Sequence, residues 1–162
     1  MVTFSVRHEF DSPPEVVGAA MTDPAFVASL RLPDVGPPEV IDRATDGDGV
    51  VLRARFRFTG SLDPIARKII PGGQISWVQE VHVDATNRRG RLTVIADTQP
   101  DRLRCTGEYR LEPSAAGGTM RELNGSLEVR VPLIGRRAEQ HILPGLLRRI
   151  DLEAEALKTW LA

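Results

Sequence analysis

The chain has 162 residues and a formal net charge of −1, with 21 Lys and Arg against 22 Asp and Glu. That balance excludes a polyanion binder driven by bulk charge, so no nucleic-acid partner is expected. With 41% hydrophobic and 27% charged residues, disorder over the whole length is excluded too.

The length predicts one domain over residues 1–162, able to fold without disulfide or metal staples. No apolar run approaches ~18 residues, so no transmembrane segment is expected. Cys105 is the only cysteine, which excludes an intrachain disulfide and a multi-cysteine zinc site. The N-terminus alternates apolar and polar residues and lacks a signal-peptide core, so a cytoplasmic location is expected. Arg outnumbers Lys by 19 to 2, a skew that GC-rich bacterial coding produces by itself.

In residues 2–10, Val2, Phe4, Val6, His8 and Phe10 share one face of a half-buried strand. Ser12-Pro13-Pro14-Glu15 has the form of a capping box and opens a short helix to about Met21. Asp23-Pro24 repeats the start signal for a second short helix to about Leu30, and Pro33, Gly36, Pro37 and Pro38 end it. A weak strand over 39–45 leads through an Asp46-Gly47-Asp48-Gly49 turn into a clear one over 50–59. There Val50, Leu52, Ala54, Phe56 and Phe58 alternate with Arg53, Arg55 and Arg57. Residues 60–74 are a long Pro- and Gly-rich connection with room for one helical turn.

Four more strands are predicted, over 75–84, 91–97, 102–112 and 119–131. The remainder, Gly135–Leu161, places Ala138, Ile142, Leu146, Ile150, Leu157 and Leu161 on one helical stripe. Pro144-Gly145 is expected to kink or restart that helix, because proline cannot donate to the carbonyl of Gln140.

Six consecutive strands at hairpin spacing predict an antiparallel sheet, and the last helix must bury its stripe on one face of it. Two stretches carry a family resemblance: Ser12–Val17 followed by Met21–Phe26, and Val129–Glu139 leading into the last helix. With their spacing, they resemble the START-like (SRPBCC, birch-pollen-allergen-like) helix-grip superfamily, and most of all an actinobacterial group within it that has no assigned function. The resemblance implies an α+β fold in which a curved seven-stranded antiparallel sheet wraps a long C-terminal helix, with two short helices after strand 1. It also implies an apolar cavity between sheet and helix. Such proteins mostly bind lipids, isoprenoids, polyketides or hormones, and a minority are cyclases or aromatases.

The residues themselves supply the candidate site. Ala54, Ala96, Gly107 and Gly125 lie mid-strand on the inward face. Interiors are packed to a density of ~0.74, so these four either admit the helix closely, with Gly125 as a bulge, or leave a hollow. With one helix to span the sheet, a hollow is the reading taken, and Gly107→Leu is then expected to block it at little cost in stability. Four polar side chains share the inward face: His8, Gln79, Cys105 and Tyr109. A mostly apolar pocket with a few convergent polar groups is the usual small-molecule site. Each polar group also has a plainer reading: a bonded core histidine, a small buried thiol, a tyrosine hydroxyl sent to solvent. Phe56, Trp77, Ile142, Leu146 and Ile150 complete the expected lining, although Trp77 reads more readily as core than as a ligand platform. Ile65, Ile69 and Ile70 are expected to form a lid over the mouth.

No catalytic residue, metal site or cofactor is expected. Nucleophile-elbow, phosphate-loop and dinucleotide motifs are missing from the sequence. The histidines His8, His82 and His141 stand on separate elements without ligand spacing. A Cys105–His8 dyad requires the two to meet across the sheet. The arginine row and Arg148, Arg149, Asp151, Glu153 and Glu155 read as solvated faces. The expected function is binding or carrying a small apolar ligand. An enzyme of the cyclase or aromatase type using His8 or Tyr109, and a protein-interaction module, are the alternatives.

Overall fold

The computed structural model describes residues 1–69 and 72–162, Ile69 by its backbone alone. Strand β1 (Val2–Phe10) is followed by helices α1 (Pro14–Met21) and α2 (Pro24–Ser29). Then come β2 (Glu39–Asp46), β3 (Gly49–Arg57), α3 (Pro64–Ile69), β4 (Ser76–Asp84) and β5 (Arg89–Ala96). A 3-10 turn at Pro100–Arg102, β6 (Leu103–Pro113), β7 (Thr119–Val129) and α4 (Gly135–Leu161) complete the chain. The strands form a seven-stranded antiparallel sheet in the order β1-β7-β6-β5-β4-β3-β2. The first strand therefore pairs with the last, from Val2↔Leu127 to Phe10↔Thr119.

Period-two patterning sets the faces. Phe4, Phe10, Leu52, Ala54, Phe56, Val81, Tyr109, Leu111, Leu123 and Leu127 are buried on the side that meets the helices. On the opposite face Arg53 donates to Asp42 and Arg55 to Asp97, so two arginines of the row are tied to acids of neighbouring segments. Exposed ion pairs of this kind contribute little stability and mainly keep the outer face solvated.

The helix starts differ from expectation at one place. Ser12 makes no capping bond; Pro13 holds the N-cap position of α1, and the Ser12 carbonyl instead accepts from the Thr119 hydroxyl at 2.8 Å. That contact joins the end of β1 to the start of β7. Asp23 does cap α2, accepting from the Ala25 N–H at 2.9 Å.

Helix α4 runs unbroken for 27 residues with Pro144 inside it, so the expected restart does not occur. Gln140 and Pro144 are both exposed, and water can satisfy the carbonyl left without a donor. The helix packs against β7 and β1. Near its start the buried Glu139 carboxylate accepts from the Val129 N–H at 2.9 Å, fixing α4 to the end of β7. No described helix is long and apolar enough to cross a membrane.

Candidate functional site

Because α4 rests on the β1/β7 side, the opposite half of the concave face is left short of atoms. A cavity of about 320 Å³ lies there, between β3–β6 and α4. The sheet supplies Phe56, Trp77, Gln79, Leu92, Val94, Ala96, Cys105 and Tyr109. The helix supplies His141, Ile142, Leu146, Arg149, Ile150 and Glu153. Ser61, Leu62, Asp63 and Ala66 reach it from the segment around α3.

Of the sequence-derived residues, Phe56, Trp77, Gln79, Ala96, Cys105, Tyr109, Ile142, Leu146 and Ile150 stand on this lining. His8, Ala54, Gly107 and Gly125 do not. Ala54 is 1% exposed inside the solid core. Gly125 lies opposite Phe4 on β1, and a Cβ there would sit 2.4 Å from the Phe4 Cζ and 2.8 Å from the Thr106 carbonyl oxygen. The ring of Phe4 thus occupies the space that glycine leaves. Gly107 is filled in the same way, a Cβ there falling 2.7 Å from the Leu123 Cδ1. The β6–β7 register continues through both glycines, so Gly125 is not a bulge. The expectation that Gly107→Leu fills a void is therefore overturned: that position is already packed.

His8 is turned toward α4. Its Nε2 lies 2.8 Å from the Asp151 Oδ1, and Nδ1 lies 3.4 Å from Nη2 of Arg121. A tautomer protonated on Nε2 serves both contacts, donating to the carboxylate and accepting from the guanidinium. Burial lowers the His8 pKa, and the bond to Asp151 works against that. The Cys105–His8 dyad does not form. Through β7, Cys105 is level with Val2 and His8 with Leu111, a separation of roughly 20 Å along the strands. Burial also pushes the Cys105 thiol up to about 11, far from a reactive thiolate.

The segment around α3 is joined to the last helix. Asp63 caps α3 by accepting from the Ala66 N–H at 2.8 Å, and its other oxygen pairs with Nε2 of His141 on α4. This contact ties the segment to α4 on the cavity lining. Ile65 does not cover the mouth; it packs beside Val129 and Ala138 in a separate small cluster. The Ile69 side chain and Ile70 lie outside the described residues.

Sequence reasoning misses three charged residues. Arg149 and Glu153, read as solvated, line the cavity. Arg121, one alternation step before Leu123 on β7, is only 4% exposed. Its guanidinium carbon lies 5.1 Å from the Phe10 ring centre and 5.2 Å from that of Tyr109, while its Nε has no partner among the described residues. Arg149 lies over Trp77 at 4.9 Å, and Trp77 in turn stacks on Phe56 at 5.9 Å. Gln79 and Glu153 face each other across the cavity, one from β4 and the other from α4. Tyr109 does not send its hydroxyl to solvent: it is 5% exposed, and burial raises its pKa to about 12.

Burial raises the Glu153 pKa, against the attraction of Arg121 and Arg149 and the influence of the Gln79 amide. Between the ordinary value of 4.5 and the raised one, the native state keeps a proton that the unfolded chain has released. Stability therefore falls as pH rises through that window and stays lowered above it. In Glu153→Gln this loss is gone, so the melting-temperature difference, variant minus wild type, should climb as pH rises from below 4.5 and then level off. A difference that is flat or declining with pH sinks the assignment.

The strand order and the helix across its concave face define a helix-grip fold. A family model described as a protein of unknown function (DUF2505) matches residues 5–161, and the chain belongs to that family. No curated protein matches the chain. Among solved structures, it is similar to TTHA0849 from Thermus thermophilus, with a TM-score of 0.67 and 19% identity over 98% of this chain and 95% of that one. The Zhui aromatase/cyclase from a Streptomyces species gives 0.66 and 15% identity over 98% and 93%. A START superfamily protein from Mycobacterium smegmatis gives 0.55 and 17% over 97% and 94%. At these identities the likeness is one of fold.

Proposed function

We propose that the protein binds a small, largely apolar molecule, of the lipid, isoprenoid or polyketide-like class, in the cavity between the sheet and α4. The observation that carries this reading is the cavity itself. Its volume of about 320 Å³ falls at the lower end of the ~300–1,000 Å³ typical of ligand pockets. Its walls are mainly aliphatic and aromatic, with Gln79, Arg149 and Glu153 among the polar residues that line it. Titration with the neutral dye N-phenyl-1-naphthylamine should give saturable fluorescence enhancement near one dye per chain. Native mass spectrometry of the freshly purified protein should show a retained small molecule. Absence of both removes the reading.

A second reading, an enzyme of the cyclase or aromatase type, is favoured by Glu153. A cavity-facing carboxyl with a raised pKa stands nearer the pH at which one group both takes and gives a proton. His8, the sequence-derived candidate for that role, is engaged with Asp151 and stands off the lining. Turnover of a bound polyketide-like substrate that survives in Glu153→Gln would remove this second reading.

A further inference from the structure

Arg149 is a cation placed where a purely apolar ligand has no use for one. It is half-buried on the cavity wall, with Cys105, Leu146 and Ile150 among the lining around it. The guanidinium carbon lies over the Trp77 ring, 4.9 Å from its centre. The group carries five N–H donors in a planar fork, and a cation–π contact satisfies none of them with an oxygen acceptor. Among the described residues Arg149 makes no hydrogen bond and no ion pair within 4 Å; its contacts are the Trp77 ring and longer-range attraction to Cys105 and Glu153. Glu153, four residues further along α4, attracts it without coming into ion-pair contact. The other lining carboxylate, Asp63, is occupied by His141 and the Ala66 N–H.

Buried charged groups are normally paired, because the lost hydration must be replaced. Here the missing partner is on the side of the cavity. We propose that Arg149 recognises a carboxylate head group, so that the molecule taken by the cavity is an amphipathic carboxylic acid rather than a neutral hydrocarbon or alcohol. This rests on the reading that the cavity binds a small apolar molecule. A planar carboxylate matches the guanidinium fork with two parallel N–H···O bonds. A phosphate dianion fits less well, since its second negative charge would face Glu153 one helical turn away. The aliphatic and aromatic walls from Phe56 to Ile150 receive the body of the acid.

The test compares decanoic acid with decanol as competitors of N-phenyl-1-naphthylamine at pH 7.5. In the wild type the acid should displace the dye at a concentration about tenfold or more below that of the alcohol, the strength expected of a charge-assisted bond in a sheltered site. In Arg149→Met, which keeps an apolar stem beside Trp77, the acid-to-alcohol ratio should fall to about one; Arg149→Lys, with a point charge and no fork, should lie between. Equal displacement by acid and alcohol in the wild type overturns the carboxylate assignment while leaving the cavity reading intact. So does a preference for the acid that persists in Arg149→Met. Failure of the dye and both competitors to bind the wild type removes the cavity reading, and this inference with it. The wild-type comparison decides the matter even where a variant fails to fold.

Discussion

Gly125→Ala should lower the stability of the protein by about 3 kcal/mol, a methyl group forced into a site with no room for it. For a chain of this length that corresponds to a fall of about 6–12 °C in melting temperature. The added Cβ would stand 2.4 Å from the Phe4 Cζ and 2.8 Å from the Thr106 carbonyl oxygen. The second contact is with backbone in the middle of the sheet, which cannot swing aside. Phe4 is 8% exposed and held between its strand and the core, so its ring has little freedom either. Gly107→Ala is the informative comparison. Its closest contact is a leucine methyl, Leu123 Cδ1 at 2.7 Å, and rotation of that side chain relieves most of the strain. It should cost about 1 kcal/mol. Trimming the ring should also couple to the glycine. In a double-mutant cycle Phe4→Leu and Gly125→Ala should be less damaging together than the sum of their separate effects. A Gly125→Ala protein melting within about 2 °C of the wild type would mean that the ring does not occupy that space.

The same pair of residues marks the limit of what the sequence discloses. Alternation alone puts Phe4 and Gly125 on the inward face, because side-chain direction in a strand is a local property. It does not say that they stand opposite one another. That depends on the first strand pairing with the last, in a register set by contacts more than a hundred residues apart. Read without the pairing, mid-strand glycines suggest empty space; read with it, they are where a neighbour's ring and a neighbour's leucine fit. The fold was legible because its signals are local: period-two runs, Pro-started helices and a helical stripe over 135–161. Order and spacing of those elements leave few alternatives to a sheet folded over one helix.

The charged residues of the site escape sequence reading for a different reason. Charges on a helix usually face water, and by that rule Arg149 and Glu153 belong to the solvated side. Yet Arg149 follows Leu146 by three residues and Glu153 follows Ile150 by three, which places both on the apolar stripe. Arg121 likewise continues the inward alternation of Leu123, Leu127 and Val129. Charges in phase with a buried face were the signal available. What the sequence could not convey is that α4 leans toward β1 and β7, which turns that part of the stripe toward a void.

Ala96 is where the void can be tested. It lies on β5 opposite Trp77 and lines the cavity, so a larger side chain at this position grows into empty space. Ala96→Trp should abolish saturable binding of N-phenyl-1-naphthylamine, a loss of at least about a hundredfold, since the indole and the dye claim the same volume. Its effect on stability should be neutral or favourable by about 0.5–2 kcal/mol, as for other cavity-filling substitutions. In a solid core the same change would overpack and cost about 1–3 kcal/mol or more. Gly107→Leu should give the opposite pair of results: a lower melting temperature, because Leu123 already fills the site, and dye binding retained, because Gly107 does not line the cavity. The two variants thus separate hollow from packed positions on one concave face. If Ala96→Trp melts several degrees below the wild type and still binds the dye, the space beside Ala96 is closed, and the binding function loses the observation that carries it.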